Sequence, residues 1–115
     1  MTVIYKILHR DEWLAARRAG AFGGSEIDRR DGFIHFSTAQ QAQETARLHF
    51  SGQQDLVVLA VDAEALGSKL RWEPSRGGAL FPHFYGTLAL TRVVAVYEAR
   101  LNREGVPELG FLTSD

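Results

Sequence analysis

Two histidines set in apolar surroundings are the residues of this chain best suited to chemistry. His35 stands in DGFIHFST (31–38) and His83 in FPHFYG (81–86). An imidazole changes protonation near neutral pH, so it can move a proton or hold an anion. Strand periodicity puts His35 on the face opposite Ile34 and Phe36, beside Phe33 and Ser37. Two readings stand for it. It is either a core histidine bonded to main chain or a residue facing a cleft. Ser37 and Thr38 follow directly, where the pattern predicts a helix start whose open amides favour an anion such as phosphate. For Thr38 a capping box with Gln41 is explanation enough.

In FPHFYG, Phe81, Phe84 and Tyr85 offer flat faces for a planar ring, and His83 and the Tyr85 hydroxyl offer hydrogen bonds. Aromatic walls with a few polar groups are what a small-molecule pocket requires. The alternative is an aromatic corner that seals the core. PSRGG (74–78) before it reads as a rim, from which Arg76 can reach an acidic group. Lys6 alternates with Tyr5 and Ile7, which makes it a cleft residue or an edge-strand lysine. Arg71 and Glu73 share one face of a short strand, in position to pair. His49 reads as a cation at a helix end or as packing.

Other chemistries lack their signatures. Four histidines without cysteine leave only His, Asp and Glu as metal ligands, and HxH, HxxxH and HExxH spacings are missing, so no metal is expected. FGGS and RGGA lack the context of dinucleotide or P-loop glycines, and no Gly-x-Ser-x-Gly occurs.

The elements that must position these residues are legible in outline. Val3 to Leu8 alternates as a strand. Glu12 to Ala19 reads as a helix stopped by Gly20. AFGGSEIDRR (21–30) reads as a polar loop, with Arg29 and Arg30 on the surface. Gly32 to Phe36 is a second strand, and a helix is predicted from Ala39 to about Phe50. LVVLAV (56–61) is a continuous apolar run, hence a strand buried on both faces. A helical turn at 62–66 and a short strand at 70–73 follow. Pro82 argues against a central strand in FPHFYG. Thr91 to Leu101 is the last strand, and 102–115 forms a loosely docked C-terminal tail after a domain spanning 1–101. Strands collecting late in the order predict an α+β fold with two main helices, not a doubly wound sheet.

At 115 residues and 45% hydrophobic content, the chain can bury a core without disulfides or metal. No run approaches the 18 apolar residues of a membrane span, and a net charge of −1 offers no global field for nucleic acid. The lack of cysteine fits a cytoplasmic location.

IYKI near the N-terminus, DGFIHFST, DLVVLAVD, WEPSRGGALFPHFYG and the closing apolar strand together resemble the DUF952 family of uncharacterised bacterial proteins. That resemblance implies a fold like that of ADP-ribosyltransferases, a small mixed or antiparallel split sheet with helices around an NAD-binding cleft. It matches Lys6, His35 and His83 to the positions that grip ribose, sit near nicotinamide and complete the site. It departs at Lys6, where relatives often carry His. The function expected is a small-molecule site, with NAD or another phosphate-bearing nucleotide as cofactor or substrate. His35 and His83 would be its catalytic pair, with Lys6, Ser37, Thr38, Arg76 and Tyr85 binding. A non-catalytic ligand-binding or protein-interaction module of the same fold is the alternative.

Overall fold

The computed structural model describes residues 1–112, so the last three residues of the predicted tail lie outside it. The strands are β1 (Val3–His9), β2 (Ala21–Phe22), β3 (Ile34–His35), β4 (Leu56–Asp62), β5 (Leu70–Pro74), β6 (Leu80–Phe84), β7 (Leu88–Ala89) and β8 (Val93–Ala99). The α-helices are α1 (Arg10–Ala19), α2 (Glu26–Asp31) and α3 (Ala39–His49), with short 3-10 turns at 63–69, 76–78 and 90–92. The architecture is α+β, and every strand pairing is antiparallel.

The apolar run 56–61 becomes β4, the middle strand of a sheet ordered β1-β4-β8. Both its faces are buried, because successive side chains point to opposite sides. Val57, Leu59 and Val61 join Ile4, Leu8, Ile34, Phe36 and Phe84 in one cluster. Leu56, Val58 and Ala60 join Tyr5, Ile7 and the Ala42 and Ala46 face of α3 in the other. Leu109 from the C-terminal segment completes that second cluster, and its N–H donates to the Gln43 side chain at 2.7 Å. That segment is docked, not loose.

A second sheet, ordered β3-β6-β5, carries both histidines. The two sheets meet where Tyr5 and Ser37 exchange backbone hydrogen bonds, each 2.8 Å. One short stretch, 34–37, is therefore tied to β6 at one end and to β1 at the other.

Two expectations are corrected. AFGGSEIDRR is not a plain loop, since it contains β2 and the helix α2. The Asp28 carboxylate accepts the Ser25 N–H at 2.9 Å, which closes the first turn, and Gly32 in the left-handed region ends it. Pro82 does sit in a central strand, paired opposite Trp72. Its carbonyl accepts the Phe36 N–H at 3.0 Å, so its nitrogen points to the same side, toward Phe36 and away from β5. Only one ladder bond is forgone there. The predicted strand 32–36 shrinks to β3 plus its bridge, and the last strand begins at Val93 after a 3-10 turn.

Gly24 shows how tightly α2 is seated. Its φ is +109°, and a Cβ there would lie 2.8 Å from the Asp28 Cβ. Gly24→Ala is expected to destabilise the fold by about 1–3 kcal/mol, the scale of one strained residue, as read by urea denaturation.

Candidate functional site

His35 and His83 are cross-strand partners in the β3·β6 ladder. The hydrogen bond from Phe36 to Pro82 makes the neighbouring position the bonded pair, so the histidines occupy the closer, non-bonded pair. Their ring centroids are 5.7 Å apart. Phe33 lies against both, stacked on His83 at 4.0 Å and tilted against His35 at 4.5 Å. Both histidines line a cavity of about 610 Å³, and so do Lys6, Ser37 and Arg76.

Asp28 is the hub behind this wall. It is 1% exposed, yet carries a full set of donors. Lys6 Nζ reaches its two oxygens at 3.0 and 2.8 Å. The His35 backbone N–H donates at 3.1 Å and the His35 ring Nδ1 at 2.6 Å. Burial works to raise the Asp28 pKa, but the His35 hydrogen bond and the charge and hydrogen bond of Lys6 outweigh it and hold it at about 2. Lys6 is lowered from its ordinary value because burial outweighs the attraction of Asp28. On its far side, His35 Nε2 lies 3.0 Å from the Asp31 carboxylate. Both ring nitrogens of His35 are thus engaged by carboxylates.

His83 is held differently. Its Nδ1 meets the Glu73 carboxylate at 2.8 Å, and the Tyr85 hydroxyl donates to the same oxygen at 2.7 Å. Tyr85 first, then His83, holds Glu73 below the usual carboxylate range, and Glu73 in turn raises Tyr85. With Nδ1 donating, the lone pair of a neutral ring sits on Nε2. Nε2 has no partner among the described residues and is not sealed off.

The expected site residues separate here. Lys6, His35, Ser37, Arg76 and His83 share the cavity wall. Thr38 and Tyr85 do not reach it: the Thr38 hydroxyl accepts the Gln41 N–H at 3.2 Å, and the Tyr85 hydroxyl is used on Glu73. The stacking platform is also absent in the form expected. Phe84 belongs to the core, and the Phe81 ring lies under the Arg76 guanidinium at 4.8 Å. Glu73 binds His83 and Tyr85, while Arg71 lies over the Tyr85 ring at 5.2 Å. Sequence reasoning passed over Asp28, Asp31 and the role of Glu73. The spacing Ser25-x-x-Asp28 at a helix start was the available signal for Asp28. Among the described residues no cluster of three or more His, Asp or Glu is arranged to hold a metal. None of the helices described is long and apolar enough to cross a membrane.

Fold and site together define a small α+β protein with a histidine-walled cleft. The chain belongs to the DUF952 family, described as proteins of unknown function, whose model matches residues 7–96. The crystal structure of protein CC0527 from Caulobacter crescentus is 55% identical and superposes with a TM-score of 0.93 over 95% of this chain and 96% of that one. The solution NMR structure of CC0527 is likewise 55% identical, with a TM-score of 0.86 over 96% and 95%. No curated protein matches the chain.

Removing Asp28 leaves Lys6 buried without its counter-charge. Asp28→Asn is expected to cost about 3–5 kcal/mol in chemical denaturation, and adding Lys6→Met should recover part of it. A carboxylate whose folded pKa is depressed adds stability above its ordinary value of 3.8, and loses it as pH falls through about 2. The acid limb of the stability curve should therefore be shallower in Asp28→Asn, by about 2 kcal/mol across that window.

Proposed function

We propose that the cleft binds a small phosphate-bearing molecule and that His83 moves a proton on it. NAD or another nucleotide is the case implied by the resemblance to ADP-ribosyltransferases. The single observation that carries this reading is the Glu73–His83 pair, with Nδ1 fixed at 2.8 Å and Nε2 left open in a residue of the cavity wall. A carboxylate that fixes the tautomer and orientation of an imidazole prepares its other nitrogen as a general base, and after protonation as a general acid. His35 supplies a fixed polar edge beside it, held between Asp28 and Asp31. Lys6 keeps Asp28 ionised, and Phe33 keeps the two rings in register. A volume of about 610 Å³ lies within the range of small-molecule sites.

The donor set favours a phosphate-bearing group over a stacked base, because the cation Arg76 covers the Phe81 face that a planar ring would use. The resemblance assigns a nucleotide or NAD; these residues support its phosphate end. A second reading, a binder without turnover, is favoured by one observation. Both nitrogens of His35 are already engaged, so only one of the two histidines has a nitrogen to offer.

A thermal-shift screen against NAD, its fragments, nucleotides and phosphorylated metabolites tests the binding part. A ligand at a hundredfold its dissociation constant adds about 2.7 kcal/mol of stability, and a screen without a single shift rejects the reading. With a ligand in hand, His83→Ala should lower turnover by about 10²-fold or more, with a smaller loss for Glu73→Gln. Unchanged turnover in His83→Ala removes the proton-transfer role, and binding without any turnover selects the second reading.

A further inference from the structure

We propose that Arg76, Thr45 and Ser37 form an anion subsite for a tetrahedral phosphoryl group, which sets the orientation of the ligand relative to His83. This inference rests on the ligand cleft proposed above and names the end by which the ligand is held. All three residues line the cavity, and they come from three elements: the turn after β5, helix α3 and the bridge segment after β3. Arg76 makes no ion pair among the described residues. Its Nη1 donates to the Thr45 hydroxyl at 3.3 Å, and its guanidinium carbon lies 4.8 Å from the Phe81 ring centroid. That contact holds the planar cation in place while leaving most of its five donors unused.

The competing anion is already taken. Glu44 is the carboxylate close enough to feel Arg76, but it lies in a two-pronged contact with Arg47, one hydrogen bond of which is 2.9 Å. Ser37 is buried, and its hydroxyl meets that of Thr45 at 3.0 Å. Two hydroxyls that share one bond use one proton, so one more remains to donate. The three groups thus present a cation and a hydroxyl from three different elements. A phosphate, with more oxygens than a carboxylate, can accept from the guanidinium and the hydroxyl together.

Phe81 and His83 lie on the same face of β6, two residues apart, which is about 7 Å along a strand. A phosphoryl group beside the Arg76–Phe81 contact would place the next few atoms of the ligand near His83 Nε2. The substrate class that follows is a phosphate ester or anhydride with a hydroxyl or N–H group a few bonds from phosphorus.

Titration of the full chain with inorganic phosphate, pyrophosphate and acetate at matched ionic strength, followed by ¹⁵N NMR, tests this. Phosphate and pyrophosphate should shift the amides of 37, 45 and 76 and bind more tightly than acetate. Arg76→Ala should weaken phosphate at least tenfold, Arg76→Lys less, and Thr45→Val by a few fold. Equal binding of acetate and phosphate, or full phosphate affinity in a folded Arg76→Ala, overturns the subsite. The two proposals fail separately. Phosphate held by Arg76 in a protein that turns nothing over sustains the subsite and rejects proton transfer. A turned-over ligand whose affinity ignores Arg76→Ala does the opposite.

Discussion

One buried carboxylate organises this molecule. Asp28 receives Lys6 from β1, the backbone and ring of His35 from β3, and the first amide of its own helix. Its carbonyl also accepts the N–H groups of Gly32 and Phe33, which end the helix and launch β3. Such a charge is costly to desolvate, and it is tolerable only because each oxygen is met by donors and a cation. The constraint is reciprocal: Lys6 is tolerable only because Asp28 is there. Helix α2, the junction of the two sheets and the orientation of His35 are all set by this one group.

The same hub makes the two histidines unlike. They face each other across a ladder, share Phe33 and line one cavity, yet their hydrogen bonds differ. His35 is held between two carboxylates and acts as part of the wall. His83 is held by one carboxylate and keeps a nitrogen for the cavity. A cleft with one immobilised histidine and one oriented base is asymmetric, and that asymmetry gives a bound molecule a direction. Arg76, on the rim, adds a second reference point along that direction.

Much of the fold was legible because its cause is local. β4 shows itself as an unbroken apolar run since both its faces are buried. α3 is announced by the Thr38–Gln41 capping box, which the structure forms. The alternation around Ile34, His35 and Phe36 assigns Ile34 and Phe36 to the core, where both are buried. Pro82 misled because its missing N–H faces only the Phe36 side, so one ladder bond is lost while the pairing with β5 is untouched. Helix α2 was hidden because six residues bearing five charges look like a loop unless Asp28 is known to be buried.

The residue pattern by itself determined which side chains can titrate, which face of each strand is apolar, and that His35 and His83 are the pair to watch. Tertiary structure alone decided that the pair meets at 5.7 Å, that Lys6 is neutralised by Asp28, and that Glu73 serves His83 instead of Arg71. The physical reason is range. Periodicity and capping act over a few residues of chain. A buried charge is matched by whatever partner the packing brings near: 22 positions away for Lys6 and Asp28, ten for Glu73 and His83.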